Sequence, residues 1–206
     1  MFTYELASDF SLAKRKAIYG VAINDSKYQV IKRINGKVTT CPYYGKWQSM
    51  IERCYSELKL KKSPAYVGCT VCDEWLLFSN FKKWMVKQDW ENKHIDKDIL
   101  ISGNKIYSPE TCIFVSPRIN GLFRGCKIGK VKYPTGVTPQ KLSGKFRARC
   151  AYNEKVFNLG HFNTVEAAFE VYKSFKYMII AMFAEYQTEP LKSAMLNYKI
   201  KGVCNG

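Results

Sequence analysis

The sequence predicts an α+β fold in two parts, and three observations carry that reading. Apolar residues recur with helical period in three places. Short β-type runs bounded by turn residues lie between them. In the C-terminal third the strand runs come together ahead of one long helix instead of alternating with helices. The expected boundary falls after residue 124. Residues 1–124 then hold a hairpin, two helices and a second hairpin followed by a helix. Residues 125–206 hold a three-stranded antiparallel sheet packed on one long helix. A chain of 206 residues can build cores of this size.

Residues 1–20 are polar and read as partly loose. In "GVAINDSKYQVIKRINGKVTTC" the Asn-Asp and Asn-Gly turn signals separate short β-type runs, which predicts a hairpin. From Tyr44 to Leu58 the period changes. Trp47, Met50, Ile51, Cys54, Tyr55 and Leu58 recur at helical spacing. "KLKKSPAYVG" reads as a basic loop. Cys72–Asp89 is a second helical pattern with Trp75, Phe78, Phe81, Trp84 and Met85 on one face, an aromatic stripe of the kind that makes a core. Residues 94–124 read as hairpin then helix. The Gly- and Lys-rich tract Arg124–Pro134 reads as a linker. "PTGVTPQ", "KFRARCAY" and "VFNLGHFN" follow as three strands. The helix after them opens at an N-cap, Thr164, and carries an apolar stripe of Ala168, Tyr172, Phe175, Ile179, Met182 and Tyr186. A last short helix starts at Pro190.

The charge is the strongest signal for a partner. Lys and Arg number 33 against 17 Asp and Glu, a net of +16, which favours a polyanion, and nucleic acid is the commonest one. No apolar run suits a signal peptide or a membrane span, so a cytoplasmic protein without a membrane partner is expected. The eight cysteines are then expected as mostly buried free thiols. Cys69 and Cys72 make the one C-x-x-C, with no second pair beside it and two histidines in the whole chain, so no structural zinc is expected.

Strand "KFRARCAY" divides sharply by alternation. Lys145, Arg147 and Arg149 point one way; Phe146, Ala148, Cys150 and Tyr152 point the other, where the helix can cover them. Between Cys126 and Asn153 there are seven basic residues, Lys132 and Lys141 among them, and no acid. An ordinary solvated face mixes signs. A sheet that presents arginines from alternate positions can enter a major groove, with arginine on guanine edges and lysine on phosphates. The run with its Gly-Val opening, Gly144-Lys145-Phe146, the basic alternating strand and "LGHFNTVEAAFEVY" resembles the APETALA/ERF-type DNA-binding domain. That resemblance implies three strands on one helix, double-stranded DNA as the partner, and Arg147 and Arg149 on the contacting strand. The family's usual tryptophan on that strand is absent here, which leaves base preference open.

"IDKDILISGNKIYSPETCIFVSPRINGLF", with "VCDEWLLFSNFKKW" and "WQSMIERCYS" upstream, resembles the phage-associated HNH-like (ββα-metal) homing endonucleases over roughly residues 20–124. In such a unit a hairpin carries an acid and a base histidine, the following helix supplies another metal ligand, and the metal polarises the scissile phosphate. Carried over, Asp96 matches the metal-ligand acid and Asn120 the helix ligand. Lys97 stands where the histidine belongs and Thr111 where the middle asparagine belongs. A lysine beside Asp96 and Asp98 keeps its proton, which makes it a poor base. His94, two residues from Asp96 on a strand, faces the same side and is the candidate replacement. Two readings stand side by side: a DNA-nicking enzyme with a degenerate site using Mg²⁺ or Mn²⁺, and a DNA-binding scaffold without turnover. A third, an inhibitor of a host nuclease or defence complex, keeps a protein partner open.

Overall fold

The computed structural model describes residues 2–123 and 132–202. Residues 124–131 of the expected linker, together with Cys126 and Cys204, lie outside them. The described chain is α+β, as the sequence predicts. It divides into two compact units. The first takes the chain up to Asp98 and Gly103–Phe114; the second takes Ile99–Ser102 and the chain from Val115 on.

In the first unit the N-terminal segment is tied down where looseness was expected. Helix α1 (Asp9–Ala13) is capped by the Ser8 hydroxyl, which accepts from Ser11 N at 3.3 Å. Leu6 bridges Tyr28, and the Arg15 guanidinium donates to the carbonyls of Asn24 and Tyr28, each at 2.9 Å. The expected hairpin is β1 (Ile31–Ile34) with β2 (Lys37–Thr40). Its turn uses left-handed backbone at Asn35 (φ 50°) and Gly36 (φ 77°), the geometry that an Asn-Gly pair favours.

Helix α2 (Pro42–Tyr55) buries Tyr44, Trp47, Met50, Ile51 and Cys54. It stops short of the predicted end, and Leu58 is 71% exposed. The reason is local. Ser56 is extended, and its hydroxyl accepts from Lys59 N at 3.3 Å, which starts a new helix, α3 (Glu57–Lys62). The stretch read as a basic loop is therefore helical at its start. Its last turn carries Lys59, Lys61 and Lys62, where the helix dipole favours cations.

The second helical pattern is also broken. Asp73–Leu76 forms a 3₁₀ turn, Leu77 is extended, and α4 spans Phe78–Met85. Ile23 explains the break. Its N–H donates to Leu76 O at 2.8 Å and its carbonyl accepts from Phe78 N at 3.1 Å, so a long-range strand-type bridge replaces one helical turn. The apolar stripe still forms the core. Trp75, Phe78, Phe81 and Met85 are fully buried, and the Trp47 indole donates to Trp75 O at 2.7 Å.

Beyond α4 the pairing is less local than a hairpin. β4 (His94–Asp96) pairs with β6 (Ile113–Val115), whose first two residues belong to the first unit. The segment between them leaves to form β5 (Ile106–Tyr107), which runs parallel to β3 (Thr70–Val71).

The first helix of the second unit is α5 (Pro117–Leu122), capped by Ser116. Its sheet has the order β7 (Val137–Pro139), β8 (Phe146–Tyr152), β9 (Lys155–Phe162), antiparallel throughout. Helix α6 (Val165–Ala184) packs on it, and Thr164 caps it by accepting from Ala167 N at 3.1 Å. The buried row is Ala168, Tyr172, Lys176, Ile180 and Ala184, with Ile179 beside it. Met182 and Tyr186, assigned to the apolar stripe from sequence, are 56% and 84% exposed. The contact follows an i+4 ridge, which is inclined to the helix axis, so the buried face rotates away from a strict 3.6-residue stripe. Gly136 fits its place for two reasons. Its φ is +84°, and a Cβ there would lie 2.2 Å from the Tyr172 ring. A short α7 (Leu191–Leu196) follows Pro190 and buries Leu191 and Met195.

Candidate nucleic-acid interface and ββα site

The register of the C-terminal sheet assigns its two faces. Val137 pairs with Ala148, and both are buried towards α6. One step along, Thr138, Arg147 and His161 lie side by side across the three strands, on the opposite face. Arg149 follows on the same outer face by alternation along β8, and an extra residue on β9, Leu159, brings Asn158 opposite it. Cys150, the next residue, turns inward, and burial pushes its thiol pKa up.

The predicted cations are not equivalent. Lys132, Lys141, Lys145 and Arg149 are exposed. Arg147 is half-buried where full exposure was expected, because its stem lies in the Thr138–Arg147–His161 row. Its Nε and the Thr138 Oγ1 are both shielded from solvent without a hydrogen-bond partner. Two donors left unsatisfied at one place on an exposed sheet are uncommon. Thr138, Asn158 and His161 share the outer face with the arginines, yet alternation along one strand could not find them. The cross-strand register was needed.

In the ββα region the residues singled out take different positions. His94 is exposed, Ile95 is buried and Asp96 is half-buried, so His94 and Asp96 share one face of β4. Asp96 Oδ1 accepts from Asp98 N at 2.9 Å, an Asx-type turn that rigidifies the segment. Lys97 points the other way. Its ammonium is buried and donates to Asp98 Oδ2 at 3.2 Å and Asn104 O at 3.0 Å, with the Tyr107 ring 5.9 Å away. Asn104 answers by donating to Lys97 O and Ile106 O at 2.7 and 2.6 Å. Thr111 is spent on the backbone as well, donating to Ile106 O at 2.8 Å and sharing a bond with Ser108 at 3.1 Å. Lys97 and Thr111 thus brace the loop between β4 and β6. Asn120 sits on α5 and belongs to the second unit, whereas Asp96 belongs to the first.

Among the described residues no group of three or more His, Cys, Asp or Glu side chains is gathered as a metal would require. The nearby thiols are neutral at pH 7. Burial, with Asp96 and Cys72 adding to it, pushes Cys112 up to about 12, and burial likewise raises Cys54 to about 12. No helix of the described chain is long and apolar enough to cross a membrane. The chain matches no family model, no curated protein and no solved structure.

Proposed function

We propose that this chain binds double-stranded DNA through the outer face of β7–β8–β9. One observation carries the reading: the register puts Arg147 and Arg149 on the outer face of the sheet, after the exposed Lys145, in a stretch of sequence without an acid between Cys126 and Asn153. Arginine on base edges and lysine on phosphates is the pairing a major-groove reader uses, and the arginines stand on one face of the sheet. The resemblance to the APETALA/ERF-type domain supports the same assignment. The test is fluorescence anisotropy with a 20-base-pair duplex. Arg149→Ala should weaken binding by about tenfold with an unchanged circular dichroism melt. Equal affinity would move the interface off this face.

A second reading has its own support. His94 and Asp96 on one face of β4 are the chemistry from which an HNH-like nickase is built, with a divalent metal polarising phosphate. Asp96 would hold the ion and His94 would take the proton from water. Lys97 has no part in such a step, since its ammonium is committed to Asp98 and Asn104. Plasmid incubated with Mn²⁺ or Mg²⁺ decides between enzyme and scaffold. Nicking lost in Asp96→Ala supports the enzyme; intact plasmid with wild type leaves the DNA-binding scaffold.

A further inference from the structure

The outer face of the C-terminal sheet carries one group whose charge is not fixed. His161 stands directly opposite Arg147 in the β8–β9 register. Leu159 and Phe162 pack inward on the core of Val137, Ala148 and Ala168, so His161 between them faces out, and it is exposed. Every charged group that faces it is a cation. β8 brings Arg147 opposite, with Lys145 and Arg149 on either side along the same face. β7 brings the uncharged Thr138 to the row, and β9 itself adds Asn158. Lys155 and Glu154 lie at the far end of β9, by the turn. The nearest acid along the chain, Glu166, is in the first turn of α6, which packs on the inner face. No ion pair among the described residues engages His161. Histidine is the side chain whose ordinary pKa, about 6.5, lets its charge change between about pH 5 and 8. A neighbouring cation disfavours the charged form of an imidazole, and a phosphate brought close favours it.

We infer that His161 is a further contact to the duplex, and that it takes up a proton as the phosphate backbone settles on this face. The step rests on the DNA-binding reading of the sheet and adds a control to it: acid tightens binding. The sign follows from linkage. A group that holds its proton more tightly in the complex than in the free chain strengthens binding as pH falls, and that gain is lost as pH rises. Each unit by which the duplex raises the proton affinity is worth about tenfold in binding. The experiment measures the affinity of the full chain for a fluorescent duplex by anisotropy at about pH 8 and about pH 5.5, at matched salt. Wild type should bind about five- to tenfold tighter at the lower pH. Its salt slope there should be steeper by about 0.9, as one more phosphate is neutralised. His161→Gln keeps an amide donor of similar size and cannot charge, so it should bind alike at both pH values. Ring-proton NMR reads the same step on the wild type. The chain has two histidines, and the His161 signals, those missing in His161→Gln, should titrate at higher pH with duplex bound. A wild type that binds no duplex at either pH overturns the DNA-binding reading and this inference with it. Duplex binding of equal affinity at both pH values overturns the inference alone and leaves that reading standing. So does a pH dependence that persists in His161→Gln, or a His161 titration that the duplex does not move.

Discussion

Lys97 owes its position to two acceptors, a carboxylate at 3.2 Å and a carbonyl at 3.0 Å, and the rest of its side chain is buried with them. Lys97→Met keeps the stem and removes the charge, leaving Asn104 O short of a donor. Its melting free energy should fall by about 1–3 kcal/mol, read from urea unfolding, while duplex affinity stays the same. A variant as stable as wild type would show that the ammonium is solvated. The sequence marked Lys97 as a departure from a nuclease pattern, but its bracing role was hidden, since its acceptor Asn104 lies seven residues on and the loop path decides their meeting. Gly136 is a second such case. "Gly-Val" was visible as an opening, whereas the reason for the glycine, the Tyr172 ring 36 positions away, is tertiary. Gly136→Ala combines a positive φ with a clash, so it should cost more than about 1 kcal/mol. A thermal melt within error of wild type would refute the close approach.

At the scale of elements, local pattern was a good guide to existence and a poor one to ends. The Asn35-Gly36 hairpin, the strands of the C-terminal sheet and the Thr164 cap are encoded by adjacent residues and were legible. The break at Leu77 was not, because Ile23 imposes it from 54 positions away. The face that α6 buries was half legible. Lys176 stands outside the predicted apolar stripe, yet it is buried between Tyr172 and Ile180. Burial lowers its pKa, with Cys150 acting weakly in the other direction. The sign follows: the folded chain binds the proton less tightly than the unfolded chain, so a penalty is fully present below the lowered native pKa. It is relieved as pH rises towards the unfolded value of about 10.4. Lys176→Met should therefore raise Tm most at pH 7. The gap from wild type should narrow as pH approaches about 10, in paired calorimetric scans. A gap independent of pH would mean the gain is packing alone.

The whole molecule is basic in both halves of its sequence, with 13 basic against 5 acidic residues in 125–206 and the remaining excess before them. That charge was legible from composition; the two-unit division, in which Ile99–Ser102 leaves its sequence neighbours for the second unit, depends on contacts that composition does not encode. Charge at this scale makes a prediction that single contacts do not. Each phosphate neutralised on a duplex releases condensed counterions, so log K falls with log salt at a slope of about −0.9 per phosphate. With Lys132, Lys141, Lys145, Arg147 and Arg149 as the footprint, the expected slope is about −4 to −5 if all five meet phosphates. It is shallower by about 1 for each arginine that reads a base instead. Anisotropy titrations between about 50 and 300 mM salt measure it directly. Lys145→Ala, at an exposed phosphate-type position, should lower both the affinity and the slope by one phosphate's worth on every duplex sequence. Arg147→Ala, at the shielded position, should lower affinity and leave the slope nearly unchanged if its guanidinium meets a base edge. A slope near zero for the wild type would remove the sheet as a DNA-binding surface, whatever its resemblance. A steep slope that survives the loss of Lys145 and Arg149 together would place the footprint on the basic residues of the first unit.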